Sequence, residues 1–166
     1  MMDFSKFDNR TAAETGQRLE LRDPSVIDGD VLKSGSKPCI VIVRGSTARS
    51  VQLAARARAK TQMRNKSEAR VMEDIHEDLC AAAQPLIVGF ENVERDGKPL
   101  TSEIDDIKWF LNLTFPVMDV KRDHDGERVL SEDGTPQFEV SNNPFAKQIT
   151  EFSAEQVKQL GNAKKD

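Results

Sequence analysis

Gln17 to Arg22 alternates polar and apolar positions around Leu19 and Leu21, which predicts a short strand closed by Asp23-Pro24. A stronger strand follows at Pro38 to Arg44 (PCIVIVR), where β-branched residues dominate. Between them, DPSVIDGDVLKSGSK is crowded with turn formers, including Asp28-Gly29 and Ser34-Gly35-Ser36. The pattern predicts an antiparallel hairpin or meander over 17–44.

The periodicity changes after Gly45-Ser46-Thr47, where Ser46 or Thr47 is a good N-cap. Helix-permissive residues then run to about Gln84, predicting helices over 46–84 with a break near Asn65-Lys66-Ser67 and Ser67 capping the second. Val71, Met72, Ile75, Leu79 and Ala82 give that second helix a buried stripe, and Pro85 ends it. Over 86–116 the pattern predicts a strand plus a helix. Leu86 to Val93 (LIVGFENV) is extended, and Asp96-Gly97-Lys98-Pro99 is a turn. Thr101 or Ser102 opens the helix, Ile104, Ile107, Trp109, Phe110 and Leu113 enter the core, and Pro116 closes it.

The stretch 117–142 carries two turn signals, Asp125-Gly126 and Asp133-Gly134, between short alternating pieces. It reads as a hairpin-like excursion. Asn143-Pro144 then pairs a cap with a first-turn proline for a last helix over 143–161, with Phe145, Ile149, Phe152, Val157 and Leu160 as its apolar positions. Together these elements predict an α+β fold in one domain, 1–166. An N-terminal antiparallel β-hairpin or meander packs on a small helical bundle, with an inserted excursion before the last helix.

Composition narrows the chemistry. With one tryptophan, no tyrosine and a net charge of -4, the chain has little material for a stacking platform. No run approaches the roughly 18 apolar residues of a membrane span, and the start lacks a signal-peptide layout. Cys39 and Cys80 are expected as reduced, partly buried thiols of a cytoplasmic protein. His76 and Cys80, four apart, share a helix face, but a structural zinc needs four ligands and no second pair is in view. KRDHDGERVLSE places Asp123, Asp125, Gly126 and Glu132 at calcium-loop offsets, yet Lys121 stands where the first carboxylate belongs. A charged turn accounts for it better. No catalytic residues, metal or cofactor are expected, and an enzyme is the least supported class.

One feature rises above this background. Arg49, Arg56, Arg58, Lys60, Arg64 and Lys66 lie in a stretch whose single acid is Glu68. Arg49, Arg56, Lys60 and Arg64 follow a seven-four-four spacing and line one helix face. The next helix is acidic through Glu73, Asp74, Glu77 and Asp78, so the two helices could neutralise each other. The other readings are a protein partner with an acidic or polar helical surface and, less favoured, nucleic acid.

The opening segment, MDFSKFDNRTAAETGQRLELRDP, resembles the N-terminus of the tail assembly chaperones of long-tailed bacteriophages. The matching residues are Met2 to Asp8, Ala12 to Gly16 and Leu19 to Pro24, then Ile40 to Arg58 with its Gly-Ser turn and Ala/Arg-rich helix. Val88 to Val93, Asp96 to Leu100, Phe145 to Ile149 and Leu160-Gly161-Asn162 extend the likeness over most of the chain, while 117–142 departs from it. The resemblance implies a non-enzymatic protein that coats the tape measure protein and helps recruit tail tube subunits. It implies action in the host cell cytoplasm and absence from the mature virion. Self-association stays open, and no membrane role is implied. Arg49, Arg56, Lys60 and Arg64 are the candidate client contacts, from charge and spacing. Two alternatives remain: a structural minor tail or connector protein of the virion, and a nucleic-acid-binding protein using the basic helix over 46–66.

Overall fold

The computed structural model describes residues 1–5, 8–64 and 72–162 and, within these, all side chains but those of 9, 61–64, 72, 73 and 157–162. The chain opens with a short helix, α1 (Asn9–Thr15). Asp8 caps it, its carboxylate accepting the Thr11 N–H at 3.0 Å and the Thr11 hydroxyl at 2.6 Å. Gly16 ends it at φ 80° and ψ 170°, backbone space essentially restricted to glycine. A Cβ there would lie 2.9 Å from the Val43 carbonyl oxygen. The predicted elements do not include α1, although Asp8 and Gly16 are its start and stop signals.

Four strands follow: β1 (Gln17–Glu20), β2 (Lys33–Ser34), β3 (Lys37–Pro38) and β4 (Ile40–Val43). β1 pairs antiparallel with β4, while β2 and β3 form a small hairpin between them. Next come α2 (Arg49–Arg64), α3 (Met72–Ala83), a 3-10 turn (Gln84–Leu86) and β5 (Ile87–Glu91). β5 pairs antiparallel with the other side of β4, giving the sheet order β1-β4-β5. β6 (Glu94–Arg95) and β7 (Lys98–Pro99) make a tight hairpin. Asp96 (φ 52°) and Gly97 (φ 77°) are its two turn residues, the Asp-Gly signature of such loops. The remaining elements are α4 (Ile104–Leu111), β8 (Met118–Val120), β9 (Phe138–Val140) and α5 (Phe145–Asn162). The fold is α+β, as the pattern predicts.

Strand alternation sorts the sheet's faces. Leu19, Val41 and Phe90 stand abreast and pack against the core. On the opposite face Arg18 and Glu91 meet at 2.6 Å, an exposed pair that contributes little to stability. Phe110 sits at the centre of the core, 1% exposed, with Phe145 stacked at 4.8 Å and Phe90 edge-on at 5.0 Å. Ile107, Leu111, Ile149, Leu86 and Val43 complete the surroundings.

α5 contributes more than apolar residues. Gln148, Ser153 and Gln156 are buried along the same side of the helix. Gln148 accepts the Arg22 N–H at 3.0 Å and donates to the Arg22 carbonyl at 3.0 Å. Ser153 donates to the Arg44 carbonyl and Gln156 to the Val43 carbonyl, each at 2.8 Å. These bonds pair backbone groups where β1 and β4 run out.

Several boundaries differ from the sequence pattern, mostly because the caps are tertiary. α2 starts at Arg49, so neither Ser46 nor Thr47 caps it. Its exposed N–H at Ser50 donates instead to Glu14 Oε1 at 2.8 Å, and the Ser50 hydroxyl donates to Glu14 Oε2 at 2.9 Å. α4 starts at Ile104 after Glu103, and Thr101 binds Asp106 through both its N–H and its hydroxyl. α5 starts at Phe145, whose N–H donates to the Thr114 hydroxyl at 2.9 Å, while Asn143 packs toward the Pro24–Ile27 loop.

Pro85 does not end α3 with a clean break, because the chain continues as the 3-10 turn. Ile104 and Leu113 are exposed rather than buried. Leu113 follows the end of α4, where helical spacing no longer applies. The α3 face turned inward is His76, Leu79, Cys80 and Ala83, one position round from the expected stripe. The predicted break at Asn65–Ser67 and the Ser67 cap lie outside the described residues, as does the side-chain burial of Val71, Met72, Val157 and Leu160.

The excursion is a three-armed ribbon. β8 and β9 pair antiparallel as its stem, and turns at 123–127 and 131–135 form two smaller arms. Lys121 donates to Gln137, Gln137 to Val129 and Val129 to Lys121, a closed ring of backbone bonds where the arms meet. Asn142 anchors the base, accepting the Val117 N–H at 2.8 Å and donating to the Phe115 carbonyl at 2.9 Å.

Candidate functional site

α2 owes its direction to α1. Glu14 holds the α2 N-terminus through Ser50 and lies 3.3 Å from the Arg44 guanidinium at the end of β4. A carboxylate at a helix N-terminus also complements the helix dipole. The Ser50 N–H, then its hydroxyl, hold the Glu14 carboxyl below its ordinary range, with Arg44 adding to the effect.

With its start fixed, α2 turns Val51, Ala54 and Arg58 inward and Arg49, Leu53, Arg56 and Lys60 outward, about half a turn away. Arg49, Arg56 and Lys60 are exposed, and among the described residues their side chains have no carboxylate partner. Arg64 falls on the same face by spacing, its side chain lying outside the described residues. Leu53, 55% exposed, sits inside the basic stripe. The sequence pattern marks the four cations but not Leu53, although its spacing from Arg49 and Arg56 places it between them.

The most extensive packing of the two charged helices is on other elements. α2 packs on α1 and on the 3-10 turn, whereas α3 packs on α5, the 3-10 turn and α4. Among the described side chains, Arg49, Arg56 and Lys60 form a solvent-facing surface with Leu53 among them.

The other candidate centres resolve into local structure. His76 and Cys80 do meet, with Cys80 Sγ 3.5 Å from His76 Nε2. Asn112 Oδ1 lies 2.9 Å from the same nitrogen, and the Asn112 amide donates to the Lys108 carbonyl. That orientation makes Asn112 Oδ1 the acceptor and His76 Nε2–H the donor, so this nitrogen has no lone pair for the thiol proton. Burial, then the Glu77 charge, push the Cys80 thiol up. Cys39 is also a free thiol, raised by burial. Among the described residues no group of three His, Cys, Asp or Glu side chains is placed to hold a metal.

The calcium-like loop is a turn. Asp123 Oδ1 accepts the N–H groups of Asp125 at 3.0 Å and Glu127 at 2.9 Å. Among the described residues no helix is long and apolar enough to cross a membrane. Comparison with known proteins adds no relative: no family model, no curated protein and no solved structure matches the chain.

Proposed function

We propose that this protein is an assembly chaperone of long phage tails. It holds the tape measure protein soluble in the host cytoplasm, helps bring tail tube subunits to it, and is left out of the finished particle. Two things support the reading: the likeness to that family of separate segments between Met2 and Asn162, 117–142 excepted, and the outward face of α2. The observation that carries it is the stripe of Arg49, Arg56 and Lys60 around Leu53, exposed and unpaired among the described residues.

A long client helix with an apolar seam flanked by carboxylates complements such a stripe. Exposed ion pairs contribute about 0–1 kcal/mol each, so many weak contacts along a helix give binding that remains reversible. That suits a protein which must leave when tube subunits arrive.

Quantitative mass spectrometry of infected-cell lysate and purified particles tests the reading. Abundance in lysate with absence from particles is expected; stoichiometric presence in particles would make the chain a structural tail or connector subunit. The stripe has its own test in co-expression with the tape measure protein. Replacing Arg49, Arg56, Lys60 and Arg64 by alanine is expected to return the client to the insoluble fraction. A client that stays soluble with this variant removes the stripe as the contact surface.

A further inference from the structure

The inward side of α2 borders an open groove of about 540 Å³, walled by α2, the end of α3 at Ala81, the 3-10 turn and the start of α4. Its floor is apolar, formed by Ile87 and Ile107, which continue into the core. Ile104 stands at the rim, 49% exposed, although it begins the apolar side of an amphipathic helix. Two arginines reach the groove. Arg44 is committed, donating to the Pro85 carbonyl at 3.0 Å and lying 3.3 Å from Glu14.

Arg58 is half-buried, and among the described residues it has neither a hydrogen bond nor an ion pair. No carboxylate lines the groove among the described residues. A guanidinium beside apolar walls is partly stripped of water without receiving a counter-charge. A carboxylate placed on it gains charge-assisted, two-pronged hydrogen bonds in a drier setting than the outward stripe offers. A nucleic acid needs a track of cations, and among the described residues this groove presents one uncommitted cation above an isoleucine floor.

We propose that this groove docks one acidic amphipathic helix of a partner protein, with an apolar side chain against Ile87, Ile104 and Ile107 and a carboxylate on Arg58. The site is separate from the basic stripe, on the opposite side of the same helix. That the helix belongs to the tape measure protein rests on the chaperone reading; the chemistry of the groove does not.

The test uses two labelled designed helices of about 18 residues with the same leucine seam, one flanked by glutamates and one by lysines. Fluorescence anisotropy with the full chain is expected to show the glutamate helix binding at least about tenfold more tightly. Arg58→Glu reverses that order, Ile104→Asp weakens both helices, and Arg128→Glu, exposed on the excursion and outside both surfaces, leaves the order as it was. Circular dichroism establishes that each variant is folded.

Equal affinity for the two helices, no binding of the glutamate helix, or an unchanged order in Arg58→Glu overturns the proposal. Its failure is distinct from failure of the chaperone reading. A tape measure protein kept soluble by a chain with no helix preference sinks the groove alone. A helix preference in a chain that leaves the tape measure protein insoluble sinks the chaperone reading alone.

Discussion

Asp133 shows how much of the excursion is held by single polar side chains. Its carboxylate accepts the Ser131 and Thr135 hydroxyls and the Thr135 N–H. Those bonds, the Ser131 hydroxyl first, hold its pKa at about 2 against an ordinary 3.8. Because the folded value is the lower one, the stabilisation is full above the unfolded pKa near 3.8 and is lost as pH falls through about 2. Carboxyl-carbon NMR is expected to place the midpoint near 2, and Ser131→Ala to raise it; a midpoint at 3.8 in the wild type would refute the bonding. Glu14 works the same way over a longer range, since the N–H it accepts belongs to Ser50. Serine and threonine caps are legible because partner and helix are neighbours in sequence. Glu14, and Thr114 for α5, lie more than thirty residues from the helices they cap, so no local pattern points to them.

At the scale of elements, α5 joins the helical layer to the sheet through its buried glutamines and serine as much as through Phe145 and Ile149. Hydrophobic periodicity finds the second set and passes over the first, because a glutamine on the inner face reads as a break in the stripe. Gln156, 1% exposed, is expected to be costly to lose. Gln156→Met keeps the volume and removes the bond to the Val43 carbonyl, a loss of about 1–2 kcal/mol. It should appear as a lower urea midpoint at unchanged slope, and an unaltered midpoint would show that the bond contributes nothing. α2 is the converse case. Its cations and their spacing were readable, but which side faces water depended on where Glu14 and the 3-10 turn hold it.

Across the whole molecule, the excursion is nearly self-contained. Its hydrogen bonds close on one another, and the link to the body runs through Val117, Ser141 and Asn142 at its base. Replacing 119–139 by a short Gly-Ser linker is therefore expected to shift the melting temperature by only a few degrees, since loop-closure entropy changes slowly with length. Loss of cooperative unfolding would show that the ribbon supports the core. From the sequence alone came the α+β class, the antiparallel start, the excursion and the cations at Arg49, Arg56, Lys60 and Arg64. All of these follow from period, turn chemistry and charge over a few neighbouring residues. The tertiary structure decided the distant caps, the buried polar side of α5, the outward turn of Leu53 and the groove that Arg58 and Ile104 both line. Each of those joins residues far apart in the chain, and only packing, not local preference, brings them together.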